Sequence, residues 1–215
     1  MKKILLGLFG LGAVAALGVV AAASTQPDEM HIERTKVVSA SAEDVWPYLV
    51  DLKRSTEWSP WEELDPDQVS EFSDPSSGVG AWYTWKGDEN VGSGRMSIKA
   101  VEDGRLVVED LEFIEPMANL AEVRLAMAPE GDGTKVSWSI RSPNSFLAKV
   151  ACLFVDMDAM IGADFEKGLD RLAELAEDDA RAREEALAEA AQAALDAATA
   201  GDDAEAANDD EAATP

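Results

Sequence analysis

The catalytic side chains available to this 215-residue chain are almost all carboxylates: 43 aspartates and glutamates stand against one histidine, His31, and one cysteine, Cys152. A Ser-His-Asp or Cys-His mechanism would have to use that single imidazole, which follows an N-terminal apolar run closely and reads as an exposed linker residue. One cysteine permits no intrachain disulfide and no cysteine-based zinc cluster, and multi-histidine metal sites are excluded. Gly92-Ser93-Gly94 lacks the lysine and the following helix that a phosphate loop needs, and reads as a strand-edge turn. No metal and no cofactor are expected.

Asp158 is the one carboxylate whose position points to chemistry. It falls between Phe154 and Ile161 in a helical stripe that includes Leu147, Ala151, Phe165, Leu169 and Leu172, where a hydrophobe would be expected. Such a group pairs with a cation such as Arg95, lies exposed at the stripe's edge, or enters an interior space with a perturbed pKa. Asp156 and Asp164 flank it without converging on a metal site. Five tryptophans, Trp58, Trp61, Trp82, Trp85 and Trp138, supply broad apolar area with one N–H donor each, suited to core packing or to a ligand cavity. The residues expected at a ligand are Trp85, Arg95, Phe113, Trp138, Phe154, Asp158 and Phe165; Arg95 would hold an anionic head group if its strand face lines the cavity.

The elements that must position these groups follow from periodicity. An extended segment over 31–39 is followed by Ser41 and Asp44, a capping pattern ahead of Val45, Tyr48, Leu49 and Leu52. Pro47 in the early turns predicts a late start or a bend. Strands are expected near 81–86, 95–101 and 106–113, too closely spaced for helical crossovers and therefore an antiparallel meander. Ala121, Val123, Leu125 and Met127 alternate with Glu122, Arg124 and Ala126, and Val136, Trp138 and Ile140 with Ser137, Ser139 and Arg141: two half-buried strands about the Gly131-Asp132-Gly133 turn. One long helix is expected from Ser145 onward, lying across the sheet.

The termini differ in kind. Lys2 and Lys3 precede an uncharged run from Ile4 to Ala23, long enough for a bilayer span, while Ala21-Ala22-Ala23 before Ser24 also fits a signal-peptide cleavage site. Both readings of residues 1–23 place the domain in the cell envelope, either anchored in the inner membrane through an N-terminal helix with the domain outside the cytoplasm, or secreted to the periplasm. Residues 176–215 are rich in Ala, Glu and Asp; exposed helix continues through Arg181 to Glu185, and disorder is expected past Gly201. The net charge of −25 disfavours nucleic acid, whose backbone is bound through lysines and arginines.

Three stretches, VSASAEDVWPYLVDLKRSTEWSPWEELDPD (38–67), SSGVGAWYTWKGDENVGSGRM (76–96) and DGTKVSWSIRSPNSFLAKVACLFVDMDAMIGADFEKGLDRL (132–172), together resemble the SRPBCC superfamily, in its polyketide cyclase/dehydrase-like branch. The resemblance implies an α+β helix-grip (START-like) domain over 30–175, with an antiparallel sheet wrapped around a long C-terminal helix and a deep cavity between them for a hydrophobic or amphipathic, lipid-like molecule. No catalytic motif of the cyclases maps onto numbered positions here. The leading expectation is noncatalytic binding of such a molecule at the envelope. A cyclase or dehydratase using carboxylates such as Asp158, favoured by a buried acid-donor pair, is one alternative. The other is an envelope adaptor that docks a protein through the acidic tail, favoured by a cavity closed by its own side chains.

Overall fold

The computed structural model describes residues 17–211, with side chains described through 195 and at 197. A short helix, α1, occupies 17–24. Then follow β1 (Glu29–Val38), α2 (Ala42–Val50), α3 (Leu52–Trp58), β2 (Val69–Phe72), β3 (Trp82–Lys86), β4 (Ser93–Glu102), β5 (Leu106–Glu115), β6 (Asn119–Glu130), β7 (Gly133–Pro143), α4 (Phe146–Ala151) and α5 (Met157–Glu211). The strands form one seven-stranded sheet in the order β1-β7-β6-β5-β4-β3-β2, antiparallel throughout. Short links make the meander from β2 to β7, and β1 closes it by pairing with β7, so α2 and α3 are carried across the sheet's open face.

The predicted alternation sets the buried face. Leu125 opposes Trp138, Val123 opposes Ile140 and Met127 opposes Val136, all buried. Onto them α5 lays Phe165, Leu169, Leu172, Ala176 and Ala180, each under a tenth exposed. Ion pairs bind the rest of α5 to the grip: Lys36 to Asp170 at 2.7 Å, Arg54 to Asp179 at 2.8 Å and Arg183 to Asp44 at 2.9 Å. Asp179 also accepts from the Tyr48 hydroxyl at 2.8 Å, and this bond adds to burial in raising the phenol pKa to about 12.

Local rules account for several departures from the expected elements. The helix after Ser41 starts at Ala42 and runs through Pro47 without delay, the Ser41 side chain accepting from the Asp44 N–H. It ends at Asp51, whose carboxylate caps a second helix by accepting from Lys53 N–H at 2.9 Å, so one expected helix is two. The long helix expected from Ser145 is likewise divided. Ser145 caps α4, which ends at Cys152, and Asp156 restarts the chain by accepting from Ala159 N–H at 3.0 Å, the N-cap geometry for α5. The short strand β2 was not anticipated between the prolines. The segment past Gly201, expected to be unstructured, is helical through Glu211. Backbone hydrogen bonds within a helix are local, and an alanine-rich stretch satisfies them without an apolar face.

One glycine is required by a close approach. Gly94 on β4 faces Trp85 on β3, and a Cβ there would lie 2.3 Å from the indole and 2.5 Å from the Glu112 carbonyl oxygen. Gly94→Ala is expected to lower stability by about 1–3 kcal/mol in urea unfolding, because the indole cannot keep its place. A loss below about 0.5 kcal/mol would mean that Trp85 is free to move.

Among the described residues no helix is long and apolar enough to cross a membrane. Most of the expected apolar run of residues 4–23, namely 4–16, lies outside the described residues.

Candidate functional site

The sheet's concave face is built from the inward residues of successive strands: Tyr83 on β3, Met96 on β4, Glu109 and Leu111 on β5, Val123 and Leu125 on β6, Trp138 and Ile140 on β7. Phe165 of α5 covers them, and Trp58 and Trp61, at the end of α3 and in the loop after it, form the remaining wall. These side chains leave an apolar cavity of about 60 Å³. That is room for about two waters, and well short of the roughly 150 Å³ at which an apolar cavity takes up benzene. The resemblance implied a deep cavity; aromatic side chains occupy that space. Trp138 stacks on Phe165 with centroids 4.0 Å apart and planes 5° from parallel, while Trp58 and Trp61 meet its edge or face at 4.8 and 5.5 Å. The chain thins its helix to make room: a Cβ on Gly168 would lie 2.8 Å from the Trp138 ring.

The walls differ in how firmly they are held. Trp58 is 2% exposed and donates its indole N–H to the Tyr48 carbonyl at 3.0 Å, a fixed structural element. Trp61 is only half-buried, on the loop between α3 and β2, and touches Trp138 and Phe165 edge-on. That loop is tied to α5 through Glu63, which pairs with Lys167 at 3.0 Å and with Arg171; both cations hold the Glu63 carboxyl below its ordinary pKa. The loop is also tied to the turn after β3, Asp65 accepting from the Asp88 N–H at 2.8 Å. Exposed ion pairs are weak and screened by salt, so they hold Trp61 less firmly than full burial holds Trp58.

One carboxyl stands among the lining residues, together with the Tyr83 phenol and, at the end of α3, Ser55 and Ser59. Glu109 is 3% exposed, its cross-strand neighbours are Ile98 and Val123, and its Oε1 has no hydrogen-bond partner. Desolvation alone raises its pKa to about 8, so the carboxyl is neutral at pH 7. An unsatisfied buried polar atom costs about 1–3 kcal/mol. The Tyr83 phenol lines the same cavity, and burial together with the nearby Glu62 and Glu109 pushes its pKa up. Glu62, on the Trp61 loop, is raised by burial as well and accepts from Gln68. Sequence reasoning missed Glu109. Its signal was parity: in Val107-Val108-Glu109-Asp110-Leu111 the glutamate shares the face of Val107 and Leu111.

The expected site residues divide into three groups. Trp138 and Phe165 wall the cavity together. Trp85 and Phe113 are on the same sheet face and in mutual contact at 6.0 Å, continuing an aromatic row from Phe72 and Tyr83 rather than lining the cavity. Arg95, Phe154 and Asp158 are elsewhere. Arg95 is on the opposite face from Met96, its guanidinium 4.5 Å from the Trp82 ring centroid and its Nε donating to Ser97 at 3.1 Å, so it holds no head group in the interior. Phe154 is 76% exposed, because the helix break at Cys152–Asp156 turns it away from the sheet.

Asp158, in the first turn of α5, pairs with Arg34 of β1 at 3.0 Å and not with Arg95; Arg34 also binds Glu166 at 2.9 Å. The guanidinium lowers the Asp158 pKa, the direction opposite to that of a buried catalytic acid. Phe154 and Asp158 border a broad surface groove with Met30, Leu153 and Val155, open to solvent. Asp158→Asn is accordingly expected to leave ligand uptake unchanged in a binding titration; a several-fold loss would return Asp158 to the site. His31 is exposed on β1 beside Glu33, and no cluster suited to a metal ion occurs among the described residues.

Comparison with known proteins agrees with this architecture. Similar solved structures include protein MLL2253 from Mesorhizobium loti, with 14% identity over 69% of this chain and 97% of that one and a TM-score of 0.51. Another is the Mll3558 protein from Rhizobium loti, with 16% identity over 68% of this chain and 96% of that one and the same TM-score of 0.51. At these identities the likeness is one of fold. No curated protein matches the chain. The family described as polyketide cyclase / dehydrase and lipid transport matches residues 29–177, all of the sheet and the part of α5 that covers it, and the chain belongs to that family.

Proposed function

We propose that the domain is a binding module that takes one hydrophobic molecule between the concave face of the sheet and α5, at the cell envelope. The observation that carries this reading is the apolar interior with one wall on a loop: Trp138 and Phe165 are buried in the core, whereas Trp61 is partly exposed and closes the cavity from a loop that exposed ion pairs tie to α5. The 60 Å³ space is then the closed state, and uptake requires Trp61 to swing outward. The envelope placement is supported by the apolar N-terminal run behind Lys2 and Lys3.

The test uses the full chain expressed with its N-terminus intact. Native mass spectrometry of protein released gently from the envelope fraction is expected to show a stoichiometric adduct that organic extraction recovers. Trp58, Trp61 and Trp138 line the cavity, so apolar probes are expected to shift indole emission, and Trp61→Ala to tighten their binding about tenfold by removing the closing wall. Repeated recovery of an empty protein, with no probe response even in Trp61→Ala, overturns the reading; recovery from the cytosol alone overturns the placement. A second reading, a protein adaptor, is favoured by the smallness of the cavity and by the exposed acidic surface of α5 around Glu184, Glu185 and Glu189. A partner captured by the full chain and lost on removal of the segment past Arg183 would select it.

A further inference from the structure

The cavity wall carries two kinds of information about its occupant. Among the described residues that line it there is no lysine, arginine or histidine, while Glu109 and Tyr83 present acidic groups and Glu62 is close by. An acid or phosphate head group would enter facing carboxyls with no cation to pair with, so a fatty acid is a poor occupant. A plain hydrocarbon would leave Glu109 Oε1 as it is, buried and without a partner. The remaining chemistry is an apolar molecule with one hydrogen-bond acceptor.

We propose that Glu109, 3% exposed, lining the apolar cavity and carrying a carboxyl oxygen without a partner, recognises a compact neutral ligand bearing a carbonyl group, to which its carboxylic acid donates a hydrogen bond. This inference rests on the cavity reading above and adds the ligand class to it. Three elements support the geometry. The β5 backbone fixes Glu109 between Ile98 and Val123 through two ladders, so the acid is held on a rigid strand. Its flanking walls, Leu111, Val123 and Leu125, are apolar, which keeps water from competing for the acid. Tyr83, whose phenol is a second donor, lines the same cavity. Neutral protonation suits donation, since an ionised carboxylate only accepts.

Three nearly isosteric probes separate the possibilities: acetophenone carries the carbonyl, cumene lacks it, and 1-phenylethylamine is cationic. Each is titrated by NMR into the full-length wild-type chain, into Trp61→Ala, and into Glu109→Leu in both backgrounds. Cumene is the more hydrophobic probe, so the quantity read is the ratio of acetophenone to cumene affinity. That ratio is expected to fall at least tenfold in Glu109→Leu, with cumene binding as tightly as before or tighter.

An unchanged ratio, with both probes bound, overturns the role of Glu109 and leaves the cavity reading standing. Binding of neither probe, with Trp61→Ala included, overturns both. Preference for the amine, lost in Glu109→Leu, overturns the neutral-donor assignment in favour of a carboxylate site. A measurement independent of the variant's folding is the infrared carbonyl stretch of acetophenone bound to the protein with Glu109 intact. It is expected to move to lower wavenumber than in hydrocarbon solvent, and an unshifted band overturns the proposal.

Discussion

Trp138→Ala is expected to destabilise the domain by about 3–5 kcal/mol, the range for removing a large aromatic from a packed core. The position is the hub of the interior. Trp138 is 6% exposed, stacks on Phe165 at 4.0 Å, receives Trp58 and Trp61 on its other sides, and opposes Leu125 on β6. Its loss would join the space of an indole to the existing 60 Å³, and the sheet on one side and α5 on the other cannot both move in to fill it. Trp61→Ala touches the same cluster yet is expected to cost markedly less, since its side chain is only partly buried and its loop is tied to α5 by exposed ion pairs. Equilibrium urea unfolding of the two variants decides the point. A Trp138→Ala cost below about 1 kcal/mol would show that the interior collapses freely, and would remove the rigid wall on which the binding reading depends.

The second large effect is a dependence on pH. Glu109 has an ordinary pKa of 4.5 and a folded value of about 8, so between these limits the native state holds a proton that the unfolded chain has released. Stability is therefore highest below about pH 4.5 as far as this group is concerned, and falls as pH rises, by about 1.4 kcal/mol per unit until the folded value is passed. Tyr83 on β3, which interacts with both Glu109 and Glu62, is shifted in the same sense, and Glu62 on the Trp61 loop is also raised by burial.

A chain with net charge −25 also weakens through self-repulsion as its remaining acids ionise, so the wild-type profile alone is not diagnostic. The difference between wild type and Glu109→Gln is. Glutamine does not titrate, and the variant is expected to lose the extra slope between pH 5 and pH 8 while wild type keeps it. Parallel profiles, measured as urea midpoints at the two pH values, would mean that water reaches Glu109 and that the acid is not held neutral.

Strands β6 and β7 could be read residue by residue, because Val123, Leu125, Val136 and Trp138 alternate with polar neighbours and a pleated strand turns that alternation directly into two faces. The antiparallel order followed from the shortness of the links. Ser41 and Ser145 marked helix starts correctly, since a cap is a contact between residues three apart. Asp156 carries the same kind of signal, but the apolar spacing of Leu147, Phe154 and Ile161 suggested one continuous helix across it. With the break at Cys152–Asp156, Phe154 points to solvent and Asp158 meets Arg34, a residue 124 positions earlier in the chain.

Composition and local pattern by themselves determined the α+β class, the helix that grips the sheet and the inward aromatic residues Trp138 and Phe165. All of these depend on residue type or on neighbours a few positions apart. Only the tertiary structure decided that Arg95 stacks on Trp82 outside the sheet, that five aromatic side chains reduce the interior to about 60 Å³, and that Glu109 is the acid left without a partner there. Whether a polar atom is satisfied depends on what distant elements bring within hydrogen-bonding reach of it, and contacts of that kind have no period in the sequence.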